Sequence, residues 1–285
     1  AMSFVRSSKD VNLVKDELTK RDAQIPIIAK IEKPEAINNL NDIIDAFDGI
    51  LVARGDLGVE MPLKELPILQ KKIVNECLQN RKPVIIATQM LENMIQFPSP
   101  TRAEVNDIAN AIYDGADAVM LSGETAVGKY PIESVKIMSD IAQSVEKDLD
   151  RHNFNRYILN NSRDYKDSCG TICHAARTIS NDLSINTIII MTETGVTAMK
   201  MAQHRPKARI FALSPNSKVC RQLSLIWGIT ALEVNAKNST DEMIVSSGEF
   251  LLSQKFIKKD ELFIITAGVP VGVSGSTNML KIHQA

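Results

Sequence analysis

The chain has 285 residues, 33 lysines and arginines against 34 aspartates and glutamates, and 44% hydrophobic residues. That length suits one large or two medium globular domains, and the near-zero net charge gives no electrostatic reason to expect nucleic acid or an anionic membrane as a partner. No apolar run approaches the roughly 18 residues that a membrane span requires. Four cysteines, Cys77, Cys169, Cys173 and Cys220, are too few and too scattered for a disulfide framework. Cys169 and Cys173 stand four apart without a third nearby ligand, so they read as one face of a helix rather than a metal pair. No signal peptide opens the sequence, and a reducing cytoplasm is the expected compartment.

Ala1–Val5 reads as the end of a strand, with Ser8 or Asp10 capping a helix behind it, so the chain is expected to begin inside an element. Four short apolar runs follow: Ile27–Ala29, Gly49–Ala53, Pro83–Ala87 and Ala118–Leu121. Continuous apolar runs of this length mark strands of a parallel sheet covered on both faces. Leu66, Leu69, Ile73 and Cys77, and later Val135, Met138, Ala142, Val145 and Leu149, recur at helical spacing between and after them. Alternating strands and helices predict βα units. Polar residues gather where the strands stop: Lys30 and Glu32, Arg54 and Asp56, Thr88 and Gln89, Ser122 and Glu124. In a βα barrel the chemistry sits at that end of the strands. Four repeats and a stub are half of the eight a barrel needs.

Polar, aperiodic sequence from Arg151 to Lys166 predicts a linker. A second α/β domain is expected beyond it. Its strands are predicted at Thr187–Met191, Arg209–Leu213, Ile229–Val234, Leu262–Thr266 and Met279–His283, and its helices at Cys169–Asn181, Val196–His204, Lys218–Trp227 and Thr240–Gln254. The expected organisation is therefore the C-terminal half of a (β/α)8 TIM-type barrel over residues 1–151, then a separate α/β domain with a mostly parallel sheet over residues 152–285.

Lys30 and Glu32 are two apart on a strand and point to one side. Alone, such a pair reads either as a structural salt bridge or as a shared buried site. Gly55 and Gly58 flank Asp56 and Leu57 just past the second strand, where a glycine permits close backbone approach to a ligand and N–H groups face an anion. Glu32 and Asp56 form a hard-oxygen pair suited to Mg²⁺. Singly, Thr88 and Ser122 read as helix N-caps, and Arg102 as a solvated or interface charge. Thr192-Glu193-Thr194-Gly195-Val196-Thr197 reads as a phosphate cradle or an ordinary N-capped turn. Trp227 reads as packing, and the four histidines as isolated structural or surface residues.

Taken in order, the segments Ile27-Ile28-Ala29-Lys30-Ile31-Glu32, Ala53-Arg54-Gly55-Asp56-Leu57-Gly58, Ala87-Thr88-Gln89-Met90-Leu91, Pro100-Thr101-Arg102-Ala103-Glu104 and Leu121-Ser122-Gly123-Glu124-Thr125 resemble the pyruvate kinase family. The resemblance is strong through Leu149 and looser after it. It implies a glycolytic phosphotransferase that moves the phosphoryl group of phosphoenolpyruvate to ADP, giving pyruvate and ATP. It implies that Glu32 and Asp56 bind Mg²⁺ or Mn²⁺ and that Lys30 stabilises the phosphoryl group in flight. Gly55, Asp56 and Thr88 would hold the substrate carboxylate, and Thr88 and Ser122 would serve the delivery of a proton to the enolate. It further implies a K⁺ site and a nucleotide site outside this chain, a homotetramer with Arg102 near subunit contacts, and an allosteric effector at Thr192, Thr194, Gly195 and Thr197. Glu193 and Val196 stand where family members often place basic or polar groups. The loop from Gly268 to Thr277 lacks the tryptophan and arginine of some regulated members. Fructose 1,6-bisphosphate is therefore expected to activate weakly or not at all, while a sugar monophosphate could still bind through Thr192, Thr194 and Thr197. Two other readings remain: a metal-dependent pyruvate-enolate aldolase or lyase, and a non-catalytic effector-binding or oligomerisation fragment. With half a barrel, this chain alone is expected to be inactive.

Overall fold

A computed structural model describes residues 1–152, 167–237, 239–270 and 277–285. The predicted linker lies outside them from residue 153 onward. The chain divides into two compact units, Ala1–Phe154 and Asn155–Ala285.

In the first unit the apolar runs become β1 (Ile28–Ile31), β2 (Gly49–Ala53), β3 (Val84–Ala87) and β4 (Ala118–Met120). They pair in parallel in sequence order, with Ala29 beside Ile50, Ile50 beside Val84 and Ile85 beside Ala118. Met2 adds a parallel bridge to Ala29, which is the strand end read at the start of the chain. Helix α1 (Asp10–Lys20) precedes β1, while α2 (Pro34–Asn38) and α3 (Leu40–Ala46) connect β1 to β2. Helices α4 (Arg54–Glu60) and α5 (Leu66–Gln79) follow β2. Helix α6 (Arg102–Tyr113) leads into β4, and α7 (Gly123–Ala126) and α8 (Pro131–His152) follow it. Ile50, Val52, Ile86, Phe47, Ile73, Val74 and Cys77 bury together between sheet and helices. Parallel strands covered in this way account for the unbroken apolar runs.

Two expectations for this unit need correction. Neither Ser8 nor Asp10 caps α1: the cap position is Lys9, and the Asp10 carboxylate accepts from the N–H groups of Arg6 and Ser7 upstream. On α8 the buried line runs through Ser134, Met138 and Val145, whereas Val135 is exposed. A 3.6-residue period leaves the choice between adjacent residues to tertiary packing, and here the predicted stripe holds at Met138 and Val145 but Ser134 takes the inward place of Val135. Val135 and Ile132 stand in solvent on the other face.

The second unit carries β5 (Thr187–Met191), β6 (Arg209–Ser214), β7 (Ile229–Glu233), β8 (Leu262–Gly268) and β9 (Thr277–Gln284), in the spatial order β7-β6-β5-β8-β9. All the pairings are parallel except that of β9, which runs antiparallel to β8. Helices α9 (Ser168–Asp182), α10 (Val196–Gln203), α11 (Ser217–Leu223) and α12 (Thr240–Ser253) flank it. Ile188 and Ile190 pack with Cys173, Ala176 and Met201 on one face, and Ile189 packs with Ile244, Leu251 and Phe263 on the other. Successive residues of β5 thus point to opposite layers. Helix α11 ends at Leu223 rather than at Trp227, before Gly228 takes a left-handed φ of 68°. The Arg205 guanidinium lies over the Trp227 ring at 4.4 Å, so the expected packing role includes a cation–π contact. The histidines are not all isolated: the His174 and His204 rings lie 5.9 Å apart.

Candidate functional site

Parallel register sets the strand ends of the first unit side by side. Ile31 pairs with Val52, Ala53 with Ala87, and Ala87 with Met120. The residues that follow, Glu32, Arg54, Thr88 and Ser122, therefore line one edge of the sheet.

On β1, Lys30 alternates with the buried Ala29 and Ile31. Its ammonium lies 2.6 Å from Glu32 Oε1 and donates to Ser3 Oγ at 3.1 Å. Glu32 is 1% exposed, and its second oxygen accepts the Phe4 N–H at 2.7 Å. The Met2 bridge, with Met2 N donating to Ile28 O and Lys30 N to Met2 O, brings Ser3 and Phe4 to the pair. A buried carboxylate held by one cation and one N–H is stable only while both remain. The same-side reading of Lys30 and Glu32 is thus realised as a direct ion pair.

At the end of β3, Thr88 and Gln89 both take left-handed backbone angles, φ 70° and 54°. Each such residue stores strain of order 1 kcal/mol or more. The Arg54 guanidinium holds the turn. It donates to Thr88 O at 2.8 Å and to Asp107 Oδ1 at 2.6 Å. Thr88 Oγ1 accepts the Gly55 N–H at 2.7 Å. Thr88 is not the N-cap residue of a helix, but its hydroxyl satisfies a first-turn N–H of α4 from across the sheet edge, so Gly55 and Thr88, both predicted to contact a carboxylate, are hydrogen-bonded to each other. A ligand there has to compete for that N–H. Next to β4, Ser122 occupies the cap position of α7 without a side-chain cap bond. Its N–H donates to Glu124 Oε2 at 2.8 Å, and Leu91 N–H donates to Oε1 at 3.0 Å. One buried carboxylate thus ties the ends of β3 and β4 together. Arg102 is exposed at the start of α6, behind a capping box formed by Thr101 and Glu104.

Asp56 lies exposed in the first turn of α4, and its carboxylate engages no partner among the described residues. Each Glu32 oxygen has one partner and retains a second lone pair. Carboxylate oxygens of this kind fit a hard divalent cation. No cluster of three or more metal-ligating side chains occurs among the described residues, so a cation here would need oxygens from substrate and water as well.

In the second unit the predicted effector loop follows β5. Thr192 Oγ1 accepts the Gly195 N–H at 2.9 Å, and Gly195 takes a φ of 84°. Thr197 Oγ1 lies 2.6 Å from Thr277 Oγ1, and both residues are buried. Thr194 is exposed. Two of the three hydroxyls therefore already have protein partners.

Ser3, Asp107 and Glu124 escaped assignment as site residues. For Ser3 and Asp107 the sequence offers no signal, since each meets its partner across 27 or 53 residues. Glu124, two residues past Ser122 at a helix start, carried the weak signal of an acidic first turn.

Two families match the chain: the pyruvate kinase barrel domain over residues 1–135 and the pyruvate kinase alpha/beta domain over residues 170–283. A pyruvate kinase of Geobacillus stearothermophilus is 47% identical, over 99% of this chain and 48% of its own length. One of Clostridium acetobutylicum is 43% identical, over 99% of this chain and 59% of its own. A solved pyruvate kinase from Cryptosporidium parvum superposes with a TM-score of 0.91 at 34% identity, over 100% of this chain and 58% of the other. The chain spans about half to three-fifths of the length of these relatives. With both families matched in order along it, and with the strand-end residues arranged as described, the chain belongs to the pyruvate kinase family.

Proposed function

We propose that the protein of which this chain forms part transfers the phosphoryl group of phosphoenolpyruvate to ADP, giving pyruvate and ATP. The observation that carries this reading is the Lys30–Glu32 pair, a cation held 2.6 Å from a buried carboxylate at the end of a barrel strand. Phosphoryl transfer calls for positioned charge more than for covalent chemistry. Lys30 would neutralise charge on the phosphoryl group in flight, with Glu32 holding the ammonium in place. The Thr88 hydroxyl and the Gly55 N–H would turn from each other to the substrate carboxylate. Thr88 and Ser122 would serve the proton that reaches the enolate carbon. Glu32 and Asp56 would hold Mg²⁺ or Mn²⁺, which when bound supplies Lewis-acid stabilisation of substrate oxygens.

On this reading residues 1–151 are the second half of a (β/α)8 barrel, and residues 152–285 are the regulatory domain. The nucleotide and K⁺ sites lie outside this chain, in a cytoplasmic homotetramer. An aldolase or lyase reading has less support, because Thr88 and Ser122 recur in full pyruvate kinase motifs. A coupled assay for pyruvate from phosphoenolpyruvate and ADP, run on the full-length protein and on this chain, tests the proposal. Turnover is expected only in the full-length protein, and no turnover in either would sink the reading. Glu32→Gln and Asp56→Asn should each weaken Mn²⁺ binding by roughly ten-fold or more, since each removes one anionic ligand. Unchanged affinity in both variants would remove the metal assignment.

A further inference from the structure

Arg54 is the first residue after β2, and three other elements hold its guanidinium. Nη2 donates to Thr88 O at 2.8 Å and reaches Met90 Sδ at 3.1 Å, both just past β3. Nη1 lies 2.6 Å from each carboxylate oxygen of Asp107 on α6, and Gln70 Oε1 on α5 stands 3.4 Å from the same nitrogen. Gln70 is buried and donates its own amide N–H to Asp114 Oδ2 at 3.1 Å, so the end of α6 fixes its orientation. The Arg54 side chain is 11% exposed, so water screens its charge poorly and Asp107 serves as its counter-ion.

The clamp acts on the turn at Thr88 and Gln89. Two consecutive residues with left-handed φ, neither of them glycine, persist only where surrounding contacts over-determine them. Thr88 Oγ1 donates to Ala87 O at 2.6 Å and accepts the Gly55 N–H. A substrate carboxylate would break the bond to Gly55, whereas the bond from Arg54 goes to the backbone and stays. Arg54 therefore holds the turn while the hydroxyl changes partners. We infer, on the proton-delivery role proposed above for Thr88, that Asp107 is a positioning residue: it fixes the Thr88 hydroxyl through Arg54. Asp107 itself touches no reacting group. Removing its charge leaves a nearly buried guanidinium without a counter-ion, a costly state. Arg54 then swings toward water and releases Thr88 O, the strained turn relaxes, and the hydroxyl loses its direction. Gln70 and Met90 cannot take over. One offers a neutral amide oxygen at 3.4 Å, the other a weak thioether acceptor.

Exchange of the carbon-3 protons of pyruvate with solvent, followed by NMR on the full-length protein, isolates the proton step. Asp107→Ala should slow it by roughly 10²-fold, the scale of a misplaced reacting group. Asp107→Asn keeps an acceptor for Arg54 and should slow it by only about ten-fold. In both variants the solvent deuterium isotope effect on pyruvate formation should rise, as proton delivery becomes limiting. On a Thr88→Val background the further loss from Asp107→Ala should shrink below about two-fold, because the group through which Asp107 acts is gone. The Gly55 amide should lose protection against hydrogen exchange in Asp107→Ala, while the amides of Ile50 and Val52 keep theirs and report a folded sheet. If Asp107→Ala does not fold, Asp107→Asn carries the same measurements. An equal loss with and without the Thr88 hydroxyl, or an unchanged pyruvate exchange rate and Gly55 amide in the Asp107 variants, would overturn the role of Asp107 and leave the proposed reaction standing. Absence of both exchange and turnover in the unaltered full-length protein would instead overturn the proposed reaction, and the positioning role with it.

Discussion

The two units end their parallel strands in different chemistry. In the first, the ends of β1 and β2 carry full charges in fixed pairs: Lys30 with Glu32, and Arg54 with Asp107 of α6. In the second, the end of β5 carries hydroxyls closed on near neighbours, Thr192 on Gly195 and Thr197 on Thr277, and the one buried cation, among those described, that packs there is neutralised by Asp167. Both sheets bury alternating apolar layers in the same way, so the backbone architecture does not set the difference. It lies in the side chains placed there: opposite charges at the ends of β1 and β2, and hydroxyls bonded to neutral groups after β5. Charged pairs keep a strong field at one point and suit the transfer of a charged group. Neutral closed loops suit a switch whose contacts exchange at little cost.

The largest expected effect tests the charged end. Lys30→Met in the full-length protein removes the ammonium and leaves Glu32 buried with the Phe4 N–H alone. Phosphoryl transfer should fall by about 10³-fold, the scale of removing one preorganised charge donor. Exchange of the carbon-3 protons of added pyruvate should persist, because Thr88 and Ser122 are untouched. Equal loss of both activities would show that Lys30 does not act on the phosphoryl group in particular.

Glu124→Ala comes next. It strands the N–H groups of Leu91 and Ser122 in a buried place. Each unsatisfied donor costs about 1–3 kcal/mol, so the first unit should lose about 4 kcal/mol. Amide hydrogen exchange at Leu91 and Ser122 should accelerate accordingly, while amides of β5 and β6 keep their protection. Glu124→Gln retains one acceptor and should recover about half the loss.

What could be read from the sequence follows from the range of each interaction. The strand runs and the shared side of Lys30 and Glu32 were legible because backbone geometry fixes them within a few residues. The order of polar residues along the sheet edge was legible for the same reason, since consecutive parallel strands bring their ends together. The Gly55–Thr88 bond, the Arg54 clamp on Thr88 O and the meeting of His174 with His204 join residues 30 or more positions apart. Local periodicity carries no information about such pairings. Val135 shows the same limit within one helix: the stripe was visible, but which of two adjacent residues faced inward depended on the neighbouring α6 and α7.

A smaller effect tests the second unit. His204 is buried, and desolvation, aided by His174 and Arg177, lowers its pKa from 6.5 to about 4. Because the folded value is depressed, the unfolded chain takes up this proton first as pH falls. Stability is therefore fully present above about pH 6.5 and declines between about 6.5 and 4, by up to about 3 kcal/mol from this group. Trp227, the single tryptophan of the chain, sits against Arg205 next to His204 and reports unfolding by its fluorescence. His204→Leu should flatten that part of the profile. An unchanged slope in the variant would show that another group governs the acid sensitivity.

The smallest expected effect concerns the effector loop. Fructose 1,6-bisphosphate should shift the half-saturating phosphoenolpyruvate concentration of the full-length protein by no more than roughly two-fold. An activator shifts a population only by the difference in its affinity for two states, and a bisphosphate draws that affinity from positive charge. Around Thr192–Thr197 the charge on offer is Lys200, already paired with Asp167, while Glu193 adds a negative group in the loop itself. Thr192 and Thr197 would have to leave Gly195 and Thr277 before meeting a phosphate. A single phosphate asks less: the exposed Thr194 hydroxyl with one exchanged partner bond would serve it. A sugar monophosphate should therefore shift the half-saturating concentration more than the bisphosphate does, and Thr194→Ala should diminish that response without altering turnover in its absence. A large shift with low fructose 1,6-bisphosphate that survives Thr192→Ala and Thr194→Ala would place its phosphate contacts elsewhere and break the contrast between the two strand ends.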